Sequence, residues 1–246
     1  MNPSVSLRRV ERIRHELHRR EVVVRHVSVL GPHFVAITFA ADTLAGFVSA
    51  SFDDHVKFLF TDAHGQTIRR DYTPRHHDAA RGELTIEFAL HDSGPATDWA
   101  RHAQVGDRAT IAGPRGSMVI PSDYPWQLLA GDDTALPAIH RRLEELPAGV
   151  QTRVLLMAPN LDVRRPLTSA AHLQTTWVSS PAQLLAGARA LDLHGDDEFV
   201  WAAGESSLMA SLRKVFLDEK QHPRTAMRVA AYWKQGAMEY HENLEG

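Results

Sequence analysis

The segment RRDYTPR, Arg69 to Arg75, gathers three guanidinium groups around an aromatic ring, a carboxylate and a hydroxyl. Arg70 and Arg75 are permanent cations whose forked donors suit phosphate or carboxylate. Tyr72 offers a flat ring with a polar tip, and Thr73 a compact donor and acceptor able to meet the edge of a heteroaromatic ring. These parts suit a dinucleotide with a flat head and a pyrophosphate, although a surface turn around a half-buried tyrosine uses the same residues. HDSGPATDWA, from His91, follows a strand-like run and reads as a helix start. Gly94 there allows close approach, and the amides near Ala96 and Thr97 face any phosphate. Thr97 equally suits capping of its own helix.

Three further segments have the composition of ligand loops. GPRGS, Gly113 to Ser117, joins flexible and basic residues, as an ordinary turn also does. Gly131-Asp132-Asp133-Thr134 and Gly204-Glu205-Ser206-Ser207 each follow an apolar strand and precede a helix, where open α/β sheets bind ligands. Asp132, Thr134 and Ser206 also suit N-caps. Neither segment matches GxGxxG, so a standard Rossmann fingerprint is not supported. There is no cysteine, which removes disulfides, thiolate chemistry and cysteine-held metal clusters. Fifteen histidines include the adjacent His76 and His77 but no HExxH or comparable metal spacing, and no GxSxG nucleophile elbow occurs. Any electron chemistry therefore needs a bound cofactor.

The elements that must position these residues fall into two styles. Short strands read at Val22–Val24, 27–30, Phe34–Ala40, 55–61, Leu84–Leu90 and Ala109–Ala112, separated by turns, and predict a closed or nearly closed antiparallel barrel. From Trp126 onward, strands at 126–130, 154–157, 176–178, 198–203 and 228–233 alternate with helices at 135–146, 181–190 and 206–219. That alternation predicts a parallel sheet covered on both faces, with the change of style near Pro121 to Pro125. At 246 residues and 43% hydrophobic composition the chain can bury full-sized cores. A formal charge of −3 excludes a general basic footprint for nucleic acid. No apolar run approaches a membrane span, and the arginine-rich start lacks the apolar core of a signal peptide, so a cytoplasmic protein without membrane insertion is expected.

SFDDHVKF from Ser51, RRDYTPR, HDSGPATDWA, GPRGS, AGDDTALPAI from Ala130, WAAGESSLM from Trp201 and AYWKQG from Ala231 occur in order across nearly the whole chain. In this combination the chain resembles the siderophore-interacting protein family, the FAD-dependent ferric-siderophore reductases of the ferredoxin reductase-like superfamily. The resemblance implies an FAD-binding antiparallel β-barrel domain at 1–122 and an α/β domain at 123–246 that receives NADPH or NADH. It implies that Arg70 faces the FAD pyrophosphate, Tyr72 packs on the isoalloxazine and Thr73 lies near its reactive edge, with Arg75 in the same set. Gly94, Ala96 and Thr97, with His91, look like the flavin-phosphate loop, and Ser117 lies in the matching GPRGS turn. Asp132, Thr134, Gly204 and Glu205 match positions around the nicotinamide nucleotide. Lys57 matches a basic position that holds an anionic ferric siderophore, and Lys234 is a second candidate. Arg164 and Arg165 stand where relatives tend to be acidic, as readers of a 2′-phosphate or as surface charge. The expected activity is NAD(P)H-driven reduction of Fe(III)-siderophore by a monomer. The alternatives are a general flavin reductase with another acceptor and a non-catalytic siderophore-binding protein.

Overall fold

The computed structural model describes residues 10–62, 64–90, 94–237 and 242–243. The first half runs through β1 (Glu11–Arg14), β2 (Arg19–Val29), β3 (Phe34–Ala40), β4 (Val56–Thr61), β5 (Thr67–Tyr72), β6 (Pro74–Asp78) and β7 (Glu83–Ala89). Helix α1 (Pro95–His102) then leads to β8 (Arg108–Ala112) and β9 (Gly116–Val119). Seven of these strands form one antiparallel sheet in the order β5-β4-β8-β2-β3-β7-β6, and β1 pairs with β9 beside it. β5 and β6 follow one another in the chain yet form the two edges, so the sheet is a curled, nearly closed barrel. No ladder joins those edges among the described residues.

Period-2 alternation builds the barrel core. Val22 and Val24, Val35, Ile37 and Phe39, Val56, Phe58 and Phe60, and Leu84, Ile86 and Phe88 all point inward and are buried. A bulge between Val24 and His26 lets the long β2 pair with β8 along its first half and with β3 along its second. Two strands expected from the sequence thus form one bent strand. RRDYTPR, which composition alone allowed as a surface turn, supplies the ends of both edge strands, with Thr73 between them.

The second half contains β10 (Trp126–Asp132), α2 (Leu136–Glu145), β11 (Gln151–Met157), β12 (His172–Val178), α3 (Pro181–Ala190), β13 (Glu198–Glu205), α4 (Ser206–Lys214), β14 (Met227–Trp233) and β15 (Glu242–Asn243). Its sheet order is β12-β11-β10-β13-β14-β15, parallel except for the last pair. The central strands are almost continuously buried because both faces are covered. On one face Leu129, Val154, Leu156, Phe199 and Trp201 meet α2 through Ile139 and Leu143. On the other, Leu128, Ala130, Val200 and Ala202 meet α3 and α4 through Leu184, Leu208 and Leu212. The expected helix at 206–219 is α-helical to Lys214 and continues as one wider, π-type turn over Val215–Glu219. Strand order, not strand direction, switches between the parallel neighbours β10 and β13, which places the crevice at the carboxyl ends of those two strands.

The two sheets are joined by a buried polar seam. Asp53, from the loop before β4, accepts from Trp201 Nε1 at 3.0 Å and Ser51 Oγ at 3.0 Å, and pairs with the Arg228 guanidinium. Burial alone would raise the Asp53 carboxyl, but Arg228 and the hydrogen bonds from Trp201, Arg228 and Ser51 outweigh it and hold it below the usual range. Arg141 reaches back across the seam to Ser49 Oγ at 2.8 Å and the Pro74 carbonyl at 2.9 Å.

Candidate functional site

A cleft of about 620 Å³ opens where the seam ends, walled by both sheets. The barrel contributes Lys57 from β4, Arg70 and Tyr72 from β5, Thr73, and Gly94, Ala96 and Thr97 at the start of α1. The α/β half contributes Thr134, Trp233 and Lys234. Nine residues chosen from sequence (Lys57, Arg70, Tyr72, Thr73, Gly94, Ala96, Thr97, Thr134 and Lys234) therefore meet in one cleft.

Each wall follows from local structure. Tyr72 is held by Phe88, with ring centroids 4.4 Å apart, and by Phe58 at 5.9 Å, and burial pushes its phenol pKa up. A neutral, ring-backed tyrosine is a rigid flat platform. Arg70 lines the cleft, and its Nη1 donates to the Arg69 carbonyl at 2.7 Å. α1 begins with Gly94 and Pro95, and among the described residues no side chain caps it; its first amides have no intrahelical partners, and Gly94, Ala96 and Thr97 line the cleft. A Cβ built on Gly94 would meet no protein atom within 4 Å, so the space in front of it is room for a ligand. A cation, uncapped helix amides and a backed aromatic face fit a flavin dinucleotide.

The remaining choices have other places. Arg75 is turned away: Nη1 and Nη2 both donate to Glu144 of α2 at 2.7 Å, and Nε donates to Glu87 at 3.1 Å. Its fork is spent joining the two sheets, so its expected place beside the cofactor is corrected to a place in the seam. Ser117 is also buried away from the cleft, donating to Asp54 at 2.6 Å and lying 2.7 Å from His15 Nε2. Asp132, Gly204 and Glu205 lie beneath the rim. The Asp132 carboxylate accepts from the Thr134 amide at 3.0 Å, the Glu205 amide at 2.7 Å and Trp233 Nε1 at 3.0 Å, tying together the ends of β10, β13 and β14. Burial pushes the Asp132 carboxyl up despite these bonds. Gly204 is required by this packing, since a Cβ there would lie 2.6 Å from the Asp132 carboxylate. Glu205 caps α4, accepting from the amides of Ser207 at 2.7 Å and Leu208 at 3.1 Å. Arg165 pairs with Glu87 and Arg164 donates to Ser179 Oγ at 2.8 Å. His91 lies outside the described residues.

Sequence reasoning missed His55, Asp71, Glu87, Tyr232 and Trp233, all of which line the cleft. Period-2 counting back from Lys57 would have found His55, and Asp71 stood inside RRDYTPR. Burial lowers the pKa of His55, His140 and His222, so these imidazoles are neutral in the folded chain at neutral pH. The unfolded chain binds their protons more readily, so stability is full above the ordinary histidine range, about 6.5, and falls as pH drops below it. Burial raises Asp54 and Asp132, which act in the opposite sense, from the ordinary carboxylate range upward to their raised folded values. Urea denaturation at pH values on either side of about 6.5 should show this loss. The slope should flatten when His222, whose Nε2 lies 3.1 Å from the Ala226 carbonyl, is replaced by glutamine.

Known proteins match this chain along most of its length. The family profile described as "Siderophore-interacting FAD-binding domain" matches residues 23–69 and 62–118, and that described as "Siderophore-interacting protein" matches residues 124–236. The NADPH-dependent ferric-chelate reductase of Escherichia coli K12 is 35% identical over 245 residues, covering 91% of this chain and 96% of its own. The ferric vibriobactin reductase ViuB of Vibrio cholerae is 26% identical, covering 85% and 88%. The crystal structure of a siderophore utilization protein from T. fusca superposes with a TM-score of 0.86 at 30% identity, covering 92% of this chain and 97% of that one. With its barrel matching the flavin-binding profile and its α/β half the second, the chain belongs to the siderophore-interacting protein family.

Proposed function

We propose that the protein is an FAD-dependent NADPH:ferric-siderophore oxidoreductase that releases iron as Fe(II). The observation that carries this reading is a cleft in which Arg70, Tyr72 and the start of α1 meet Thr134, Trp233 and Lys234 of the other half. A bound flavin would supply the conversion between the two electrons of a hydride and the single electrons that ferric iron takes. Arg70 and the amides of Ala96 and Thr97 hold the pyrophosphate, and Tyr72 supports the ring system. Thr134 and the crevice above Asp132 receive the nicotinamide nucleotide. Lys57 and Lys234 draw in the anionic chelate. No side chain acts as acid or base on the iron. The chain supplies position, water exclusion and field.

The division of labour falls at residue 122, with 1–122 for FAD and 123–246 for NADPH. One chain closes the cleft from both sides, which supports action as a monomer. A cytoplasmic location follows from the need for NADPH, and no helix among the described residues is long and apolar enough to cross a membrane. NADPH is favoured by the name of the Escherichia coli relative and by Arg164, which lies beyond the carboxyl end of β11.

An anaerobic absorbance titration tests the proposal. NADPH should bleach the flavin band of FAD-loaded protein, and a ferric siderophore should restore it as Fe(II) appears in a ferrous trap. Failure to take up FAD overturns the reading. Bleaching without restoration keeps the flavin and overturns the acceptor.

A further inference from the structure

The Lys57 ammonium is already held by a carboxylate. Lys57 on β4 stands directly across from Asp71 on β5, and its Nζ lies 2.7 Å from Asp71 Oδ2. The same ladder sets Arg70 across from Phe58 and Tyr72 across from Val56. Successive residues of a strand face opposite ways, so Arg70 and Tyr72 share the face of the barrel core, whereas Lys57 and Asp71 share the other. Asp71 thus lies between two flavin-side residues in sequence but belongs to the acceptor side of the cleft.

Two features separate this pair from a structural staple. Among the described residues Asp71 Oδ1 is buried without a hydrogen-bond partner, whereas Oδ2 is taken by Lys57. The lysine is 44% exposed and the aspartate 14%, so the cation faces solvent while its counter-ion sits behind it. The cleft's other carboxylate among the described residues, Glu87, is engaged by Arg75 and Arg165. Asp71 is therefore the anion set against the cations Lys57, Arg69, Arg70 and Lys234 that line the cleft. His55, which also faces Asp71 and Lys57, is kept neutral by burial.

We infer that Asp71 is a specificity-determining residue for the acceptor: it holds Lys57 in the empty site and competes with the anionic chelate for it, lowering affinity according to chelate charge. The inference rests on the reductase reading and adds to it. Without Asp71 the site would hold anionic chelates more tightly, and with it a multiply charged chelate gains less over an uncharged one. A field that draws anions in but is partly cancelled at the point of contact also limits how tightly the chelate is held between turnovers.

Asp71→Asn removes the charge with little change of shape. Two probes of opposite character are used on flavin-loaded protein, a trianionic ferric tris-catecholate and an uncharged ferric tris-hydroxamate. Their redox-inert gallium(III) counterparts report binding without turnover. The expected result is a fall of about five- to tenfold in KM and in gallium-chelate Kd for the trianion, with a change of less than about twofold for the neutral chelate. Asp71→Glu, which keeps the charge, should keep the wild-type ratio between the two probes. Asp71→Ser repeats the test with a smaller side chain if the asparagine variant does not fold. Equal shifts for both probes, no shift, or weaker binding of the trianion overturns the inference while leaving the reductase reading intact. Wild-type protein that binds and reduces neither chelate overturns both.

Discussion

Replacing Asp53 with alanine should remove about 3–5 kcal/mol of stability, because it takes away the buried carboxylate with which the Arg228 guanidinium pairs and to which Trp201 and Ser51 donate. The loss exceeds that of a surface pair, about 0.2–1 kcal/mol, since neither partner can turn to water. Arg228 is 6% exposed and Asp53 3%, and the same carboxylate also satisfies the indole of Trp201. For a chain of this size the melting temperature should fall by roughly 10 °C. Thermal unfolding followed by far-ultraviolet circular dichroism checks it. Loss at the seam should also loosen the cleft, because Asp53 and Trp201 fix the floor on which Tyr232 packs, with Trp201 and Tyr232 centroids 6.3 Å apart. A change of less than about 1 kcal/mol would mean that Arg228 finds another partner and that the seam is not the hinge-pin of the two sheets. Arg228→Met in the same background is the informative second variant, since an apolar pair removes the buried charge as well and should recover most of the loss.

Arg70→Ala should raise the FAD dissociation constant about 100-fold, equivalent to about 2.7 kcal/mol, the scale of one or two charge-assisted hydrogen bonds. Arg70 is on an edge strand and lines the cleft, so its removal leaves no buried partner unsatisfied in the protein. The expected phenotype is a folded chain that loses its yellow colour on dialysis. Arg70→Lys should fall between the two, because an ammonium keeps the charge but not the paired donors. Flavin fluorescence during FAD titration measures it. An unchanged affinity would assign the pyrophosphate to the start of α1 alone.

The amino-acid sequence by itself determined the two architectures. Alternation of Val22 and Val24 or of Ile37 and Phe39 matches a half-buried strand, and short near-continuous runs such as 128–131 and 199–203, each leading into a glycine-containing turn and a helix-like stretch, match strands covered on both faces. The motif RRDYTPR put forward Arg70 and Tyr72 as a cation and an aromatic platform while leaving a surface turn open, and only the structure showed that they lie two apart on one strand and share a face. What chain order could not decide was which charged groups remain for a ligand. Arg70 and Arg75 are five positions apart and chemically identical, but only the packing of α2 brings Glu144, 69 residues away, onto Arg75. Ser117 has the composition of a phosphate turn, yet Asp54 takes its hydroxyl. Asp132 and Thr134 belong to one loop, but the ends of β13 and β14 draw the carboxylate inward and leave the threonine at the rim. In the same way Asp71 became visible only when strand register set it across from Lys57. Period and composition act over a few residues and are written in the chain. The pairing of charges depends on distances between elements far apart in sequence, and those distances exist only after the two sheets have packed.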